Sequence, residues 1–340
     1  MKTSFRATSP KDYEALKLLL RSAFPCGPNE PFLERAHMEW KYWDPRPGWQ
    51  DSRSYVQEHE GRIVAHGCAW PLLFESSGGN VRGLHLLDWA ADPYAPGAGS
   101  VLLEKMRTLA DCIISVGGSE TTKRILPKLG FTPVGEFRTF ARPLRPFRQA
   151  VSHQRRAWRV PFRFARNLVW GLSGAQIPPG WQAQATSPAK IVSWPRSHGL
   201  NICPSRGADF YEYVFRCPTA ECRLFSIQKE GRDTGYFCLS LVPGQARIVE
   251  LWMETDDPAT WGIGYALASC ESARLGAAEV VGASSSQLGW DALGVAGYRL
   301  RDKAPILLRP RETGEVKRPL MQMVDGDAFF LHHGVPQYLT

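Results

Sequence analysis

At 340 residues, with 44% hydrophobic and 22% charged side chains, the chain is long enough for two domains that each bury a core, and too apolar for general disorder. No run approaches the roughly 20 apolar residues of a membrane-spanning helix, and the first residues lack a signal-peptide pattern, so the cytoplasm is the expected location. The net charge of +8 is localised: Phe137 to Ala208 holds twelve Arg or Lys and no Asp or Glu, and the remainder is slightly acidic.

In chain order, Ser9-Pro10 reads as a helix start, and apolar residues at helical spacing follow as far as Phe24. Val56 to Gly67 reads as a hairpin with Glu60-Gly61-Arg62 at its turn. Leu84 to Trp89 is a strand, and the glycine turn Asp92-Pro93-Tyr94-Ala95-Pro96-Gly97-Ala98-Gly99 leads from it into a helix. Ile113 to Val116 is a buried strand, and Leu129-Gly130-Phe131 follows after a helix-length interval. The pattern then repeats. Phe225 to Tyr236 is a second hairpin with Glu230-Gly231-Arg232, Arg247 to Trp252 a second strand, and Asp257 to Gly264 matches Asp92 to Gly99 at a constant offset of 165. Val280 to Ala283 and Ala296-Gly297-Tyr298 complete the correspondence. The expected class is mixed α/β in two tandem copies: 1–145, a basic linker 146–180, a second copy 181–312, and a tail 313–340.

This order of elements resembles the GNAT superfamily of acyl-coenzyme A dependent N-acyltransferases over about residues 3–143 and 181–310. The resemblance implies that a glycine turn holds the coenzyme's pyrophosphate on backbone N–H groups at a helix N-terminus. In copy one that places acetyl-CoA on Gly97, Ala98, Gly99, Ser100 and Val101. It further implies a thioester carbonyl polarised by a bulge N–H around Ala90-Ala91, and a strand carboxylate as base: Asp88, or Glu250 in copy two. Both copies depart from the family pattern. Tyr94 and Ala259 replace its Gln or Arg, Trp261 crowds the second turn, and Leu126 and Leu293 stand where many members carry a tyrosine acid. Ser119 and Glu120 are substitutes by location, or an ordinary helix start. His66 and His85 are further candidates. Copy one is the expected coenzyme site, Gly264 belonging to the weaker turn.

The implied reaction is acyl transfer to a small-molecule or sugar amine; the alternative is an inactive binding module, associated with a membrane surface or with polysaccharide synthesis. The arginine segment reads as a solvated linker, as a weak contact with anionic membrane through Arg138–Arg166, or as a nucleic-acid arm, the last disfavoured by the absence of any accompanying motif. Cys203, Cys217, Cys222 and His198 lack metal-site spacing, so no metal is expected, and the eight cysteines read as reduced thiols. His332 and His333, beside Phe329 and Phe330, suggest a tail that docks onto a domain.

Overall fold

The computed structural model describes residues 3–24, 26–27, 29–76, 79–150, 157–172, 176–191, 202–312 and 318–340; Arg155, Arg156, Arg196 and His198 lie outside them. Copy one runs β1 (Thr3–Ala7), α1 (Tyr13–Ala23), α2 (Arg35–Met38), β2 (Ser54–His59), β3 (Arg62–Ser76), β4 (Gly79–Ala91), α3 (Ala98–Met106), β5 (Cys112–Val116), α4 (Glu120–Ile125) and β6 (Thr132–Pro143). The helices α5 (Pro146–Ala150) and α6 (Val160–Leu172) follow. Copy two runs β7 (Trp181–Ala185), α7 (Pro188–Ile191), β8 (Cys203–Pro204), α8 (Ala208–Phe215), β9 (Glu221–Lys229), β10 (Arg232–Val242), β11 (Gln245–Met253), α9 (Pro258–Arg274), β12 (Glu279–Ser284), α10 (Gln287–Val295) and β13 (Arg299–Pro310).

Local chemistry accounts for the repeat. In both hairpins the Glu-Gly pair adopts positive φ, 51° and 79° at Glu60-Gly61 and 52° and 82° at Glu230-Gly231. Two consecutive left-handed residues make the turn whose twist matches that of paired strands, and His59 therefore faces Arg62 as Lys229 faces Arg232. In α1 the buried residues are Tyr13, Leu16, Leu19 and Leu20, a single apolar stripe, and Asp12 accepts the Ser9 N–H at 2.8 Å just before it.

The two copies share one sheet, ordered β1-β2-β3-β4-β5-β13-β6-β12-β11-β10-β9-β7. Their last strands are exchanged. β13 pairs antiparallel with β5 of copy one, β6 pairs antiparallel with β12 of copy two, and β6 and β13 pair with each other at the centre. Residues 319–332 lie largely in the interior, where Leu320, Met321, Met323, Val324, Phe329 and Phe330 are all buried, and residues 333–336 are exposed. His332 bonds the Thr219 carbonyl at 2.8 Å, and His333 meets Glu30 at 2.7 Å.

Candidate functional site

In each copy two neighbouring parallel strands start together and then separate. β4 and β5 pair at Gly83, Leu84 and His85 opposite Cys112, Ile113 and Ile114, and no further. β11 and β12 pair from Gln245–Glu279 to Ile248–Gly282 and then part. Beyond those points each strand presents backbone N–H and C=O groups to a gap, and buried groups of this kind need a partner.

The gap of copy two is filled by the chain itself. The Gln322 side chain accepts the Leu251 N–H at 2.9 Å and donates to the Leu251 carbonyl at 3.1 Å, so one amide completes the strand's pairing. On the other side Ser285 N–H donates to the Met321 carbonyl at 3.0 Å, and Gln322 bridges Ser284. The gap of copy one has no such insert among the described residues.

The two helix starts differ in the same sense. In copy one Gly97, at φ 85°, precedes α3 with no side-chain cap and no acidic residue in the first turn. Ala98 N–H is bound by Ala95, and Ser100 and Val101 N–H share the Gly97 carbonyl, which leaves Gly99 N–H without a partner among the described residues. Gly99 itself is packed beneath the Trp89 indole, whose Nε1–H donates to the Gly99 carbonyl at 3.1 Å. In copy two the Asp257 carboxylate occupies the helix start, accepting from Thr260 N–H at 2.8 Å and Ala259 N–H at 3.3 Å. Because α9 begins at Pro258, Gly262 and Gly264 fall inside the helix rather than before it. They serve packing: a Cβ on Gly262 would lie 2.8 Å from Val295, and one on Gly264 about 3.1 Å from Leu251 and Met253. The matched turns are thus alike in sequence and unlike in role.

A buried polar cluster forms on β4 of copy one. Asp88 has φ 48°, a left-handed conformation rare for a residue with a side chain. The ladder with β3 shifts register between His66 and Cys68, opposite this residue. The bulge therefore lies at Asp88-Trp89, two residues earlier than expected, while Ala90 and Ala91 are back in register with His66 and Ala65. The Asp88 Oδ2 atom meets Lys41 Nζ at 2.5 Å and accepts the Tyr42 hydroxyl at 2.7 Å; Oδ1 has no partner among the described residues. Burial works to raise the Asp88 carboxyl, but the charge of Lys41 and the bonds it receives outweigh burial, so it stays below the usual aspartate range. Burial works equally to lower Lys41, and Asp88 more than restores it. His66 donates Nδ1–H to the Asp88 carbonyl at 3.0 Å and accepts from Ser54 at 2.9 Å; burial pushes it down to about 4, so it is neutral near pH 7.

The remaining sequence candidates have structural partners. Ser119 caps α4 by accepting the Thr122 N–H at 3.1 Å, and Glu120 is 82% exposed and paired with Lys123. Neither contacts Asp88. Glu250 is fully buried, bound by Arg206 and Trp252 at 3.1 Å each and by Tyr211 at 2.5 Å. Arg206 also holds Asp325, whose carbonyl accepts His85 Nδ1–H at 2.9 Å, so this network clamps the C-terminal segment to both copies. Leu126 and Leu293 lie in the core. Sequence reasoning missed Lys41 and Tyr42, whose signal was a lysine within the aromatic run Trp40-Lys41-Tyr42-Trp43. A cavity of about 330 Å³ lined by Arg148, Val242, Gln245, Leu275 and Tyr338 lies at the opposite end of β11 from the gap and touches none of these groups.

No protein-family model matches the chain, and no curated protein is similar to it in sequence. Its fold is nonetheless that of known structures. The Saccharomyces cerevisiae N-myristoyltransferase with bound myristoyl-CoA and inhibitors superposes at TM-score 0.61 and 12% identity, over 99% of this chain and 86% of that one. A GCN5-related N-acetyltransferase from Anabaena variabilis superposes at 0.59 and 10%, over 92% and 73%. A tandem GNAT protein from the clavulanic acid biosynthesis pathway superposes at 0.54 and 11%, over 92% of this chain and all of that one. The chain has a tandem GNAT fold.

Proposed function

We propose that the protein is an acyl-CoA-dependent N-acyltransferase whose single coenzyme site lies in copy one. The observation that carries this reading is the asymmetry between the gaps: copy two's is filled by Gln322 and its helix start by Asp257, whereas copy one, among the described residues, keeps its strand edge and the Gly99 N–H for a ligand. A pyrophosphate on the α3 N-terminus gains the helix dipole and the Gly99 N–H without needing a cationic side chain. The acyl group is acetyl in this reading, and the acceptor is a small-molecule or sugar amine held beside Asp88.

In the reaction the amine lone pair attacks the thioester carbonyl; the C–N bond forms, the C–S bond breaks, and the proton shed by the amine balances the one taken up by the leaving thiolate. Asp88, kept ionised by Lys41, offers Oδ1 to the amine N–H, and Tyr42 fixes the carboxylate by binding Oδ2. Calorimetry with acetyl-CoA is expected to give one site per chain, and amines tested with a thiol-detecting reagent are expected to show turnover. Two equal sites would overturn the assignment to copy one, absence of binding would overturn the coenzyme reading, and binding without turnover of any amine would favour the inactive module.

A further inference from the structure

The helix α6 is amphipathic in the reverse sense for a helix packed on a protein body. Its inner face carries Arg163, Asn167 and Trp170, all buried. Arg163 donates to the Thr340 carbonyl at 2.8 Å, Asn167 to Gln149, and Trp170 to the Gly297 carbonyl at 2.7 Å. These bonds fix the helix in place. The outer face is apolar instead: Phe162, Ala165 and Val169 recur at helical spacing and face solvent, Phe162 at 75% exposure and Val169 at 68%. Leu168 is exposed on the flank, Trp158 in the turn before α6 is 61% exposed, and Phe147 on α5 is 69% exposed. Together with Phe164 these are six of the fourteen large exposed hydrophobic residues found in the described parts of the chain, so the patch is a concentration and not a scatter.

The rim is cationic. Arg145, Arg148, Arg159 and Arg166 are exposed around the patch, and no acidic residue occurs between Phe137 and Ala208. Arg145 and Arg148 are exposed and donate to the Ala273 and Gly276 carbonyls at 3.2 and 3.4 Å, bonds that leave their charge unneutralised, and Arg159 stacks on Trp158 with its guanidinium carbon 4.8 Å from the ring centre.

We infer that the outer face of α5 and α6 is a docking surface for an anionic lipid bilayer, with the aromatic and aliphatic side chains entering the headgroup–acyl boundary and the arginines meeting lipid phosphates. Aromatic and aliphatic residues on one face with arginines at its margins are what an interfacial helix requires. Leu168 and Val169 offer nothing to a nucleic acid's bases or phosphates, and a second copy of the chain would bring the same arginines against this rim. The inference does not depend on the acyltransferase reading.

The test is co-sedimentation of the full chain with vesicles of phosphatidylcholine alone or with about 30% phosphatidylglycerol. Binding to the anionic vesicles is expected to be at least tenfold tighter and to weaken severalfold between about 50 and 300 mM salt. A Trp158→Ser/Phe162→Ser variant is expected to lose tenfold or more, and Arg145→Gln/Arg148→Gln/Arg159→Gln to bind both vesicles alike; neither should change the circular dichroism spectrum. Equal binding by Trp158→Ser/Phe162→Ser and wild type would overturn the proposal, as would failure of the wild type to sediment at low salt. Dimerisation abolished by Phe162→Ser would assign the face to a second copy and overturn it too, and so would salt-sensitive binding of duplex DNA in place of vesicles.

Discussion

Two opposite charges buried together depend on each other, because removing one leaves the other desolvated and uncompensated, typically at about 3–5 kcal/mol. Asp88→Asn is therefore expected to lower unfolding stability by about that amount, and Lys41→Met added to it to restore most of the loss, as read from urea midpoints. The double variant then separates chemistry from stability: acetyl-CoA affinity is expected to stay within about threefold of wild type and turnover to stay lost. If turnover returns with stability, Asp88 is structural. The buried histidines set a second residue-scale expectation. Burial lowers His37 to about 3 and His66 to about 4, below their ordinary value near 6.5. The unfolded chain thus takes up protons between pH 6.5 and those values while the folded chain does not, so stability is complete above about pH 6.5 and falls as the pH drops. Each histidine is expected to cost about 2 kcal/mol on going from pH 6.5 to 5, and His37→Gln to flatten the decline measured by urea unfolding at both values. None of this is visible in the order of residues, since Lys41 and Asp88 are 47 positions apart and a lone lysine in an aromatic run reads as surface until something is packed over it.

At the scale of elements, the two glycine turns show how the same letters acquire different work. The helix of copy two starts at Pro258 because Asp257 binds its first N–H groups, and this extra turn carries Gly262 and Gly264 into the packing interface. In copy one the matched Asp92 carboxylate binds only the Tyr94 N–H among the described backbone donors, the helix starts later, at Ala98, and the Gly99 N–H stays open. Ser100→Glu is expected to distinguish a ligand site from a mere turn. A carboxylate in the first turn of a helix leaves stability unchanged or slightly raised by interaction with the dipole, yet it repels a pyrophosphate bound there by a few kcal/mol at about 5 Å and an effective dielectric near 20. Acetyl-CoA affinity should fall about tenfold or more by calorimetry while the melting temperature holds. Gly264→Asp, by contrast, forces a charge against Leu251, Met253 and Ile227 and is expected to destabilise the whole protein without any selective effect on the coenzyme. If Ser100→Glu leaves affinity intact, the α3 start does not hold the phosphates.

Across the whole molecule the exchange of β6 and β13 is decisive. Each copy's penultimate strand is completed by the other copy's last strand, and residues 318–331 are wedged into the gap of copy two and tied to His85 of copy one. Residues 1–145 or 181–312 alone would expose β5 or β12 as an unprotected edge, a template for aggregation. Expressed singly, each is expected to be insoluble or unfolded, and chains 1–176 and 177–340 expressed together to co-purify; independent, monomeric folding of either half would show the exchange to be dispensable. Much of the architecture is legible in the sequence: the Glu-Gly turns, the strand–turn–helix units and the offset of 165 follow from local conformational preferences repeated in order, and so identify two related α/β units. The partner of a terminal strand is not a local property, because β6 and β13 present similar edges and only the packing of both copies around one core selects between them. The same holds for the site. Which helix starts carry glycine could be read from residues 97–99 and 262–264, but which strand gap remains open was decided by an amide from Gln322, brought 71 residues back along the chain to satisfy the backbone of Leu251.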